Sequence, residues 1–122
     1  MAAPNIVNVT SIYGRTRGQD LTTTTTAGIL TCASNKVLKV NSIIVANIDG
    51  TNAADATISF FDNDQSGTFM LASTVSVPAD STLVVIGKDS PIYLEESDEI
   101  RGGASNDGDL EVIISYEELD DA

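Results

Sequence analysis

The sequence predicts an all-β fold, a sandwich or barrel of about eight short antiparallel strands. Three observations carry that reading. Val, Ile, Thr and Ser crowd the chain, and β-branched residues favour strands over helix interiors. Turn signals punctuate it at intervals of roughly 8–12 residues, the spacing of sandwiches and barrels. No segment carries a helical apolar period, and no strand–helix–strand rhythm is present. At 122 residues the chain reads as one domain. That length buries roughly two thirds of the unfolded surface on folding.

Residues 1–20 read as an extended N-terminal arm. Ile6, Val9 and Ile12 are apolar, and Gly14 and Gly18 bracket the basic pair Arg15 and Arg17. Part of Asn5–Tyr13 fits a first strand. Thr22–Thr26, five threonines in a row, reads as strand, and Ile29–Cys32 continues it beyond Gly28 as an edge-type strand. Lys36–Ile48 is the strongest apolar segment. Strict alternation sets Val40, Ile44 and Ile48 on one face and Ile43 and Val45 on the other, a central strand covered on both sides.

Asp49-Gly50 then marks a turn. Asp55–Phe61 and Phe69–Val77 form a hairpin pattern around the polar turn 62–67, with Ala56, Ile58 and Phe60 sharing a face. After Pro78–Asp80 come a short apolar strand at Leu83–Ile86 and another at Ile92–Leu94. Glu95–Glu99 reads as an acidic loop, and Gly102–Gly108 as turn. Leu110–Tyr116 is the last strand, and Glu117–Ala122 an acidic tail that frays. The expected organisation is an arm at 1–20, a β-domain at 21–116 and a tail at 117–122.

The net charge of -12 and the absence of His exclude much. A duplex-binding protein needs a basic footprint, so no nucleic-acid partner is expected, and anionic membrane surfaces are disfavoured. Charge is uneven: residues 1–40 sum to +3 and residues 41–122 to -15. A basic arm docking on an acidic body, its own or a neighbour's, fits that split, beside the plainer reading of a solvated acidic surface. Without His, the Ser-His-Asp, Cys-His and zinc-His arrangements are out, no nucleophile–base pair can be named, and an enzyme is not expected. Cys32 is the one cysteine and reads as a small buried hydrophobe. No apolar run is long enough for a transmembrane helix, and no leader is read at the N-terminus.

Two candidate sites remain. Asp62, Asp64 and Ser66, followed by Gly67, resemble the start of a calcium loop. Ser73 stands where a bidentate Glu belongs, so a plain polar turn is the favoured reading and no metal or other cofactor is expected; Asn106, Asp107 and Asp109 form a second acidic turn. The other candidate is a partner-binding surface on the arm: Ile6, Val9, Ile12, Tyr13, Arg15 and Arg17. The alternating strands could also add to a neighbour's sheet, and closed homo-oligomers, for example a trimer, are the usual outcome.

Four stretches resemble short structural proteins of tailed bacteriophages and prophages: Lys39-Val-Asn-Ser-Ile-Ile-Val-Ala-Asn-Ile-Asp-Gly50, Leu71-Ala-Ser-Thr-Val-Ser-Val-Pro-Ala-Asp80, Ser90-Pro-Ile-Tyr-Leu-Glu-Glu-Ser-Asp98 and Asp109-Leu-Glu-Val-Ile-Ile-Ser-Tyr116. Asn8-Val-Thr-Ser-Ile-Tyr-Gly-Arg-Thr16 is similar to versions in marine phages, particularly cyanophages. The resemblance implies a jelly-roll-like β-sandwich in a virion component assembled in the host cytoplasm. A capsid decoration (cement) protein bound to the major capsid protein leads. A tail, neck or fibre component comes second, and a sugar- or calcium-binding β-sandwich module third.

Overall fold

A computed structural model describes residues 11–120. Nine strands follow one another: β1 Ser11–Asp20, β2 Gly28–Thr31, β3 Lys36–Asn47, β4 Ala54–Asp62, β5 Gly67–Val77, β6 Thr82–Ile86, β7 Ile92–Leu94, β8 Glu99–Ala104 and β9 Leu110–Asp120. No helix occurs among the described residues, and so none is long and apolar enough to cross a membrane. The strands form two antiparallel sheets. One runs β1-β9-β3-β6, with β7 pairing β3 beyond β6; the other runs β2-β8-β4-β5.

Both sheets feed one core. Val40, Ile43, Val45, Val112 and Ile114 come from the first, and Ile58, Ile100, Ala56 and Val77 from the second, with Leu21 and Leu94 between them. Fully burying each Ile, Leu or Val contributes about 1.5–3 kcal/mol. With no Trp and few aromatics, the core is aliphatic, as the composition requires.

Strict alternation fails in β3 for a local reason. The β3–β9 register shifts between Val40 and Ser42, so Asn41 is an extra residue. A one-residue bulge transfers every later side chain to the opposite face. Val40 therefore points into the core with Ile43 and Val45, and not with Ile44. The strand is central, flanked by β9 and by β6 and β7. From Ser42 onward only one of its faces is buried, and Ile48 lies exposed beyond its end.

The threonine run is not a strand. Thr22–Thr26 crosses from one sheet to the other as an exposed strap. Its backbone is engaged elsewhere: Ala104 N–H donates to Thr22 O at 2.8 Å, Ala27 N–H to Thr24 O at 3.2 Å, and Thr23 N–H to Asp107 Oδ1 at 2.8 Å. These bonds override the run's strand propensity. The strap passes against Gly103, where a Cβ would sit 2.7 Å from the carbonyl oxygens of Thr22 and Thr24. A Cβ at Gly102 would be as tight on the other face, 2.6 Å from Thr57 O. Those two glycines read as turn in the sequence, which hides β8 and explains why about eight strands are expected and nine are found. The edge reading does hold for Gly28–Thr31, which pairs only with β8.

The acidic tail is likewise strand as far as Asp120, because Glu117–Asp120 pair with β1 on one side and β3 on the other. The acidic loop also contains a structural residue. Asp98 is buried, its Oδ1 accepting Asn63 N–H at 3.0 Å and its Oδ2 accepting Glu95 N–H at 3.0 Å. Asn47 plays the same part at the far end of β3. Its Nδ2 donates to Asn52 O and Val77 O, at 3.0 and 2.9 Å, and its Oδ1 accepts Asp49 N–H at 2.8 Å.

Candidate interaction edge

β1 is made of small and polar residues between Ile12-Tyr13 and Asp20, and it is held by hydrogen bonds rather than by burial. Its register with β9 is unbroken, from Ser11 opposite Asp120 to Asp20 opposite Glu111. No β1 residue enters the core, and only Ser11 and Gln19 are even partly covered. Among the described strands β1 packs substantially on β9 alone. Directly opposed residues in an antiparallel pair share a face. Arg17 lies opposite the buried Ile114 and Gln19 opposite the buried Val112. Tyr13, Arg15, Arg17 and Gln19 therefore stand on the core side of the sheet yet overhang the core. Ile12, Gly14, Thr16, Gly18 and Asp20 take the outer side.

The structure thus brings Ile12, Tyr13, Arg15 and Arg17 onto one edge strand; Ile6 and Val9 lie outside the described residues. Ile12 is 59% and Tyr13 45% exposed, far more than such side chains keep inside a domain. Arg15 sits 5.2 Å from the centre of the Tyr13 ring and pairs with Glu118 at 3.4 Å. Glu118 also meets Lys36 at 3.1 Å, and Lys36 reaches Asp120 at 2.7 Å. Those hydrogen bonds, Asp120 first and Glu118 next, raise the Lys36 pKa above its ordinary value. Arg17 donates to Gln19 Oε1 at 3.3 Å and has no carboxylate within ion-pair distance among the described residues.

The four sheet edges differ in kind. β2 has four residues and a register shift. β5 carries two register shifts, with Thr74 forced to a φ of 53° and its N–H donated to Thr57 Oγ1. β6 and β7 together are broken by Gly87–Pro91. Short length, bulges and breaks are how proteins blunt edges against unwanted pairing. β1 has none of these.

On its outer side, Gly18 and Asp20 line a shallow groove with Glu111 and Ile113 of β9. The row Gly18, Ile113, Ile44 and Val84 runs across all four strands. Ile113 is 37% and Val84 60% exposed along it. Asp20 and Glu111 face each other at the foot of β1. Their shared hydrogen bond, with desolvation and mutual repulsion behind it, raises the Glu111 pKa.

The other sequence candidates fall elsewhere. Asp62 spends its carboxylate on its own turn: Oδ1 accepts Asp64 N–H at 3.0 Å and Oδ2 accepts the Gln65 amide at 2.8 Å. Ser66, at a φ of 52°, closes that turn. Among the described residues no three metal-ligating side chains come together. Cys32 is buried, its Sγ donating to Lys36 O at 3.2 Å, and burial pushes its thiol up to about 11. Sequence reasoning missed the β1–β9 register that organises this edge, because nothing local announces which strand pairs with which. No protein-family model, curated protein or solved structure matches the chain.

Proposed function

We propose that this chain is a non-enzymatic structural protein of a tailed-phage virion, a capsid decoration protein that clasps the major capsid protein through β1. The observation that carries the reading is β1 itself: a long, regular edge strand, basic in an acidic protein, that buries nothing within its own fold. An edge strand that buries no side chain in its own core is held by its ladder to β9 alone, so a partner that covers it adds stability by mass action.

A second support is the order of the strands. β6 and β7 pair with the same side of β3, so they count as one interrupted strand. Counted that way, the order β1-β9-β3-β6/β7 and β2-β8-β4-β5 supports reading the two sheets as a jelly-roll-like β-sandwich, an architecture common in viral capsid domains. Cementing would follow from the area buried across subunit junctions. A stable contact of about 1,600 Å² is the usual scale, and binding the intact shell in preference to the ruptured one stabilises it by mass action.

Deleting residues 1–17 tests the reading. The truncated protein is expected to fold and to lose occupancy on particles; undiminished occupancy would sink the role given to this segment. Copy number decides place. Hundreds per particle support the capsid surface, a dozen or fewer assign the protein to neck, tail or fibre, and absence from particles removes the virion reading.

A further inference from the structure

We propose that β1 recruits its partner by strand addition, and that the incoming segment alternates acidic with bulky apolar residues and belongs to a different protein. The inference rests on the reading of β1 as the attachment edge and adds the chemistry of what attaches.

Three features of β1 specify that segment. Its outward edge is the one long, unbroken sheet edge among the described residues, which is the template that extended peptides use. Arg15 and Arg17 stand two residues apart on one face, about 6.7 Å along a strand, so acids at alternate positions of an added strand meet both. Glu118 already does this for Arg15 from the β9 side, while among the described residues Arg17 has only Gln19 as a side-chain partner. On the opposite face Gly14 and Gly18 leave open space. A Cβ at Gly14 would meet nothing within 4 Å, and at Gly18 only Val112 O at 4.0 Å. Large side chains on the other face of the added strand would cover these glycines and the exposed Ile113, the way aromatics cover edge glycines across strand pairs.

The same comparison argues against a second copy as the donor. The remaining edge strands β2, β5, β6 and β7 contain no acidic residue. The alternating acids of β9 are enclosed between β1 and β3. Pairing β1 antiparallel with itself about Thr16 sets Arg15 against Arg17 of the other copy, like charges in direct opposition.

The test uses the full chain and two ten-residue peptides, one alternating glutamate with tyrosine and one alternating lysine with tyrosine. Binding is read by fluorescence anisotropy and by amide hydrogen exchange. The glutamate peptide is expected to bind, to slow exchange along Ser11–Asp20 and not along β2 or β5, and to weaken at least tenfold with added salt or with Arg17→Glu. Among the described residues Arg17 makes no ion pair and its side chain bonds only Gln19, so that variant should keep the native melting temperature, and Arg17→Ser provides a milder second variant. Equal binding of the lysine peptide, protection elsewhere, or no binding of either peptide at the highest soluble concentration overturns the proposal. Loss of peptide binding with particle occupancy still dependent on residues 1–17 would end strand addition and leave the cement reading standing. Peptide binding by a protein absent from particles would do the reverse.

Discussion

Gly103 is squeezed by backbone rather than by flexible side chains, so its neighbours cannot simply rotate away. A methyl group there collides with the carbonyls of Thr22 and Thr24. Gly103→Ala should cost about 3 kcal/mol, read as a shift in the urea midpoint with unchanged slope. Asn47→Asp should cost a similar amount, about 3 kcal/mol, because the two donors facing Asn52 O and Val77 O become acceptors.

Charge at the foot of β1 gives a pH signature. The folded-state pKa of Glu111 lies above its ordinary 4.5. Its favourable contribution is therefore present below that value and is lost as pH rises through the raised one. Glu111→Gln should raise the melting temperature at pH 7, with the advantage vanishing below about pH 4. Asp49 works in the opposite sense. Backbone N–H groups of Thr51 and Asn52 hold its carboxyl below the usual value, so its contribution is lost as pH falls. Cys32, with its thiol near 11, should resist a thiol reagent at pH 8 until the protein is unfolded.

Among the elements, β1 and β9 make the sharpest contrast. β9 is central and supplies Leu110, Val112 and Ile114 to the core; β1 supplies nothing. Amide exchange should therefore be fastest along β1 and slowest along β9 and the middle of β3, since local opening follows apolar burial. Much of this layout is legible in the sequence. Lys36–Ile48, the hairpin of β4 and β5, and Leu110–Tyr116 announce themselves by β-branched runs bounded by turn residues. What is illegible has a physical cause in each case. Asn41 inverts the face pattern of β3 because a bulge leaves no local mark. Gly102-Gly103 disguises a strand because the need for glycine comes from segments distant in sequence. Thr22–Thr26 looks like a strand because propensity knows nothing of the partners that its carbonyls find. The edge itself was half visible, as basic residues in an acidic chain. Its overhang beyond the core could not be read before β9 was known to be its neighbour.

For the whole molecule, a net charge of -12 and a pI near 4.1 set up a mutual long-range repulsion between copies. The positive exceptions on β1 are local, so long-range repulsion and short-range attraction coexist. Attachment to an acidic partner should respond to ionic strength, which screens both, whereas the aliphatic core should be nearly indifferent to it. Comparing particle occupancy with melting temperature across a salt series separates the two.

The break at Gly87–Pro91 has a practical consequence. Lys88, Asp89, Ser90 and Pro91 are all exposed, and the strands on either side are each anchored to β3 by their own register. Foreign sequence spliced there would interrupt no hydrogen-bonded ladder. Lengthening such a connection fourfold costs only about 1.2 kcal/mol of closure entropy. The fold therefore carries a ready port for peptide display, on the edge of its sheet opposite β1, where cargo would stay clear of attachment.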